Sequence, residues 1–192
     1  MPVGAARSQS TPYSAAQTRI INAALDLFTK HGVGGTSLQM IADAIGVTKA
    51  AVYHQFNTKD EIVLAAAETE LAKVETAIEA AEAEPDPTRA REVLVVRIVD
   101  LAVARRRMES TLLGDPVIIR YFAHHEPFRH VMDRLYRLLM GDNAGPDARV
   151  SAAMLSAAIG GAVIHPLVAD LDDETLRSHL LHLARRSLDL RD

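Results

Sequence analysis

The sequence predicts an all-α protein of about nine helices, a three-helix head at the N-terminus followed by a larger helical body. Three observations lead there. Apolar residues recur at helical spacing through most of the 192 residues. Capping residues, prolines and glycines cut the chain into segments of helix length. No convincing strand and no internal repeat breaks the pattern. Hydrophobic residues are 48% of the chain, ample for a core, while aromatics are only 4%, so Ala, Leu, Val and Ile must fill it.

The elements follow in order. Residues 1–13 lack the apolar run of a signal peptide and read as a flexible arm. Ser14 with Gln17 forms a capping box, and Ile21, Ala24, Leu25 and Phe28 give the helix behind it one apolar face, closed by Gly32. Thr36 with Gln39 is read as a second capping box, opening a helix whose buried face is Leu38, Ile41, Ala42 and Ile45. Gly46 supplies a left-handed turn, and Thr48 caps a third helix, Lys49 to Phe56. Thr58 with Glu61 then opens a long fourth helix with Val63, Ala67, Leu71, Val74 and Ile78 as its stripe. Later starts are marked by acid-proline pairs at Asp86-Pro87, Asp115-Pro116 and Glu126-Pro127. Gly114 and the stretch 141–145 provide stops; Pro146 opens a helix expected to reach about Ala169, and Asp172 caps a last one through Leu190.

The third helix carries the chemistry. Only Val52 and Phe56 in it have core character; Lys49, Ala50, Ala51, Tyr53, His54 and Gln55 face outward. Small residues allow close approach, polar tips suit base edges, and donors suit phosphate, as a helix entering a major groove requires. Residues 36–56 therefore read as a helix-turn-helix, and residues 14–57 as a DNA-binding domain.

The run HGVGGTSLQMIADAIGVTKAAVYHQFNTKDEIV resembles the DNA-binding signature of the TetR family of one-component bacterial regulators. The turn glycine, the Tyr53–Phe56 pair and Lys59 all fall in register, and the resemblance covers roughly residues 14–65. It implies that Gln39, Lys49, Ala50, Ala51, Tyr53 and His54 sit where such proteins touch operator bases or phosphates. Thr48 and Lys59 are implied as phosphate contacts. Gln55 stands where histidine is frequent.

Charge points the other way unless it is divided. The chain is formally −4. Through residue 64 there are five Lys or Arg against four Asp or Glu, and the remainder carries the acidic excess. Affinity for DNA must then come from local placement of cations and from dimerisation. The absence of Cys suits a reducing cytoplasm, the expected location. The uncharged run between Arg149 and Asp170 holds Ser151, Ser156, His165 and Pro166, and is read as soluble rather than membrane-spanning.

Residues 58–192 are expected to bind an effector and to dimerise. Arg97 and Asp100 interrupt an otherwise apolar helix and are read either as an ion pair or as the polar anchor of a pocket. Leu101, Ile118, Phe122, Phe128, Met132, Leu135, Tyr136 and Leu139 could line such a pocket or be plain core. A largely apolar small molecule would be its ligand. Ala153, Ala157, Gly160 and Gly161, with Leu176, Leu180 and Leu183, suggest two interface helices that form a four-helix bundle with a second copy.

No cofactor or metal is expected. His124, His125, His130 and His165 do not follow a ligand spacing, His179 with His182 reads as surface, and Arg105–Arg107 as a basic helix end. No nucleophile-base arrangement or phosphate-cradling loop suggests catalysis. The expectation is a ligand-responsive repressor that binds a palindromic operator as a homodimer. The alternatives are a regulator whose body is a protein-interaction module, or a metal-dependent helical enzyme or binding protein.

Overall fold

Local signals place the helix ends, and tertiary contacts move several of them. A computed structural model describes residues 13–106, 125–141 and 145–190, which contain eight α-helices and no strand. Helix α1, Ala15–Gly35, is capped by the Ser14–Gln17 box as expected. Gly32 does not end it; φ 70°, ψ 165° there puts a break inside the element, and a last turn continues beyond. That break explains a corrected cap. Thr36 is buried and donates its hydroxyl to the Gly32 carbonyl at 2.8 Å, so Ser37, not Thr36, caps α2, Leu38–Ile45, by accepting from the Met40 amide. The Gln39 side chain does not turn back to close a box; it reaches forward to Asp43.

Gly46 adopts the left-handed conformation (φ 70°, ψ 35°) that ends α2, and Thr48 caps α3, Lys49–Gln55, through the Ala51 amide. Helix α4 is Lys59–Glu82, α5 Pro87–Arg106, α6 Glu126–Met140, α7 Pro146–Ala162 and α8 Asp173–Ser187. Helix α7 stops short of the expected Ala169. Pro166 disfavours helical geometry in the residue before it, and His165 is accordingly extended (φ −75°, ψ 137°). A single 3-10 turn, Pro166–Val168, follows. Its carbonyl end is held by the Arg106 guanidinium, which donates to Val168, Ala169 and Leu171 at 2.6–2.9 Å.

Two cores result. Ile20, Ile21, Leu25 and Phe28 of α1 pack with Ile41, Val52, Phe56 and the first half of α4, Ile62 to Ala67. Ile78 and Ala81 near the other end of α4 pack with Leu94, Val99, Leu135, Ile159, Leu176 and Leu180. Each such aliphatic side chain contributes about 1.5–3 kcal/mol by leaving water. Helix α4 therefore belongs to both units. Between its two apolar patches lies Glu70, buried to 4% exposure, with Lys73 Nζ 2.6 Å away. The simple stripe expected for α4 misses this carboxylate, and Leu71 and Val74 are only half-buried.

The expected Arg97–Asp100 pair is not formed. Asp100 accepts from Arg177 Nε at 2.5 Å and so ties α5 to α8. Arg97 is exposed and makes no ion pair among the described residues. The start at Asp115-Pro116, the stop at Gly114, the arm up to residue 12, and Ile118, Phe122, His124 and Arg107 lie outside the described residues. Among those described, no helix is long and apolar enough to cross a membrane.

Candidate nucleic-acid interface

Helices α2 and α3 hold each other through one face and leave the other to solvent. Val52 is fully buried and Phe56 nearly so, against Leu38, Ile41 and Ala42 of α2. Arg19 of α1 donates to the Ile45 carbonyl at 3.2 Å, and Gln17 Nε2 lies 3.5 Å from the Gln55 carbonyl, so α1 holds the ends of both short helices. With Val52 and Phe56 fixed inward, helical geometry turns Lys49, Ala50, Ala51, Tyr53 and His54 outward. All five are exposed, as are Gln39 and Thr48. All seven of these sequence-predicted residues are thus open to solvent. Tyr53 is 45% exposed despite its size.

Several tips are already engaged. Lys49 Nζ lies 5.7 Å from the centroid of the Tyr53 ring, within cation–π range, so cation and phenol share one patch. Thr48 accepts the Ala51 amide at 3.2 Å and keeps its hydroxyl proton for another acceptor. Gln39 donates to Asp43 Oδ1 at 2.7 Å. His54 Nδ1 lies 3.3 Å from Gln55 Nε2.

Lys59 differs from the others. Its ammonium donates to the carbonyls of Val33 and Thr36 at 2.9 and 3.2 Å, just where the break at Gly32 disturbs the end of α1. It is half-buried and primarily joins α4 to α1. Beside it, Thr58 caps α4 through the Glu61 amide, and Glu61 accepts from the Asn57 amide at 2.8 Å. Sequence reasoning missed Arg19, Ser37 and Asp43; the i, i+4 spacing of Gln39 and Asp43 was a signal that could have found the last.

The head meets the body along α4. Tyr13 donates to Glu68 at 2.5 Å and its ring lies 6.4 Å from that of Phe56. His125 Nε2, at the start of α6, lies 3.9 Å from the same carboxylate, and Phe128 of α6 packs against the head core. Arg134 of α6 bridges Glu82 at 2.6 Å and Glu75 at 3.5 Å near the other end of α4.

The expected effector residues do not line one cavity. Arg97, Asp100 and Leu101 share a cleft of about 350 Å³ with Lys73, Thr76 and Ala77 of α4. Tyr136 lines a separate open cleft of about 970 Å³ between α6 and α7, with Arg137, Met140, Arg149 and Val150. Leu135 and Leu139 are buried in the body core, with Met132 packed against it. The expected interface set also divides. Leu176 and Leu180 are buried within their own chain and are corrected to core, because α8 spends that face on α5 and α7. Ala153, Ala157, Gly160, Gly161 and Leu183 are exposed, alongside Val150, Met154, Ile164 and Leu167. Of the histidines, His130, His179 and His182 are exposed, and His165 caps the 3-10 turn by accepting from Leu167.

Residues 20–66 match the family described as bacterial regulatory proteins, tetR family. Over 60 residues the chain is 42% identical to the HTH-type transcriptional regulator SrpR of Pseudomonas putida, covering 31% of this chain and 28% of that protein. It is 47% identical over 57 residues to the HTH-type transcriptional regulator TtgR, also of Pseudomonas putida, covering 29% and 27% respectively. The match thus spans little more than a quarter of either relative. Over the fold, the chain is similar to the crystal structure of the TetR-family regulator PfmR from Thermus thermophilus, with a TM-score of 0.65 at 21% identity, covering 88% of this chain and 97% of that one.

Proposed function

We propose that this chain, whose residues 20–66 match the tetR family of bacterial regulatory proteins, is a ligand-responsive repressor binding a palindromic operator as a homodimer. The observation that carries the DNA-binding reading is the division of α3: Val52 and Phe56 hold it to the head, while Lys49, Ala50, Ala51, Tyr53 and His54 stand exposed. Lys49, Tyr53 and Thr48 would bond phosphates; Gln39 and His54 would meet base edges, and the alanines thymine methyls.

The exposed apolar face of α7, with Leu183 of α8, supports self-association. Met154 is 67% exposed and Leu183 55%, and small residues between them allow a partner helix close. Two-fold pairing would set two α3 helices about 34 Å apart, one turn of DNA. The cleft holding Arg97, Asp100 and Leu101 supports a small-molecule site there, because an occupant would bear on α4 between its two cores. Such a ligand acts only if it binds one arrangement of α4 better than the other.

The test is selection from random duplex DNA by the native chain, beside a Lys49→Ala, Tyr53→Ala double variant. A two-fold symmetric site enriched by the native chain and lost by the variant is the expected outcome. No enrichment by the native chain at low salt, where phosphate contacts are strongest, would overturn the reading.

A further inference from the structure

Asp43 is an acidic group beside a surface read as DNA-binding, where a carboxylate would normally oppose phosphate. It lies one helical turn after Gln39 on α2, both side chains are exposed, and the Gln39 Nε2 amide donates to Asp43 Oδ1 at 2.7 Å. An ionised carboxylate can only accept, so it distinguishes the two ends of the otherwise pseudo-symmetric carboxamide. The nitrogen must face Asp43. The carbonyl Oε1 and the second N–H remain for another partner.

We propose that Asp43 is a positioning residue that sets the base preference of Gln39. The inference rests on the DNA-binding reading of the head. An amide held with its oxygen outward accepts from adenine N6 or cytosine N4, and its spare N–H can also donate to adenine N7. Guanine O6 and thymine O4 are acceptors: the spare N–H can meet them, but the outward oxygen then finds no donor unless the amide turns over and abandons Asp43. Discrimination at that base therefore equals the loss of one exposed hydrogen bond, either to the base or to Asp43, on the order of three- to tenfold. Within an isolated helix the same Gln–Asp contact would be only a local brace. The two roles are separable because a brace affects every operator position equally.

The experiment is the random-duplex selection repeated with full-length Asp43→Ala and Gln39→Ala chains, with thermal unfolding of each. Alanine favours the helix at this exposed site, so both variants are expected to fold. The native chain should enrich adenine or cytosine at one symmetric pair of positions. Asp43→Ala should reduce that preference three- to tenfold at the pair that Gln39→Ala flattens, leave the other positions unchanged, and tighten binding overall. An unaltered preference in Asp43→Ala, or equal change at every position, would overturn the positioning role. Failure of the native chain to enrich any site would instead overturn the DNA-binding reading on which it stands.

Discussion

At Lys59 one ammonium is bonded to two carbonyls, Val33 and Thr36, at the point where α1 breaks. The Val33 carbonyl receives only a long bond from the Thr36 amide, 3.4 Å, and Thr36 itself lies past the end of α1. The ammonium adds a donor to both carbonyls and joins α4 to α1. Lys59→Met keeps the aliphatic stem and removes both bonds, and is expected to destabilise the protein by about 1–3 kcal/mol in urea unfolding. Weakened DNA binding in that variant would then mix two causes, whereas Lys49→Ala and Tyr53→Ala touch exposed groups only. The same residue-scale logic explains the cap. Thr36 and Ser37 are equivalent in side-chain chemistry, but Thr36 is drawn inward to the Gly32 carbonyl, leaving Ser37 free to cap α2.

Among the elements, α4 has a place in both cores, and its far end is tied to α6 by Arg134. The hydrogen bond from Arg134 holds the Glu82 carboxyl below its ordinary range, against a smaller opposing effect of burial, and Glu82 in turn raises the Arg134 guanidinium. A depressed carboxyl stabilises the fold above the unfolded carboxylate pKa, and that contribution is lost as pH falls through the folded value. Native protein should therefore exceed Glu82→Gln in stability at neutral pH, with the gap closing as pH drops below the carboxylate range. The Glu82 side chain is 41% exposed, so solvent screening keeps the gap to about 1 kcal/mol or less. Chemical unfolding of both chains across that pH range measures it. Tightening at Arg134 would also restrain α4 from moving between its two cores.

For the whole molecule, the exposed face of α7 and Leu183 is the feature that a lone chain leaves unexplained. A charge at its centre should be tolerated by the monomer and rejected by an apolar seam. If the proposed homodimer forms through this face, Leu183→Glu is expected to leave only monomer in sedimentation equilibrium, with little change in helix content. Because the proposed palindromic operator is read by two heads together, its affinity should then fall by about tenfold or more. A variant that remains dimeric would move the interface elsewhere on the body.

The sequence by itself determined the helix-turn-helix and the seven exposed tips, because Gly46, Thr48, Val52 and Phe56 act through local geometry that one face of a short helix makes explicit. It also determined the start of each helix opened by a capping side chain or an acid-proline pair among the described residues, Thr36 excepted. Tertiary structure decided the rest. Leu176 and Leu180 have the same periodicity whether they face their own body or a partner, and only the packing of α8 on α5 and α7 assigns them inward. Asp100 had a neighbour at i−3, yet its partner came from α8, 77 residues away, because a positioned guanidinium outcompetes a nearby exposed one. Local capping acts over three or four residues and is written in the chain; the choice between equivalent apolar faces, or between two arginines, is made only when the helices meet.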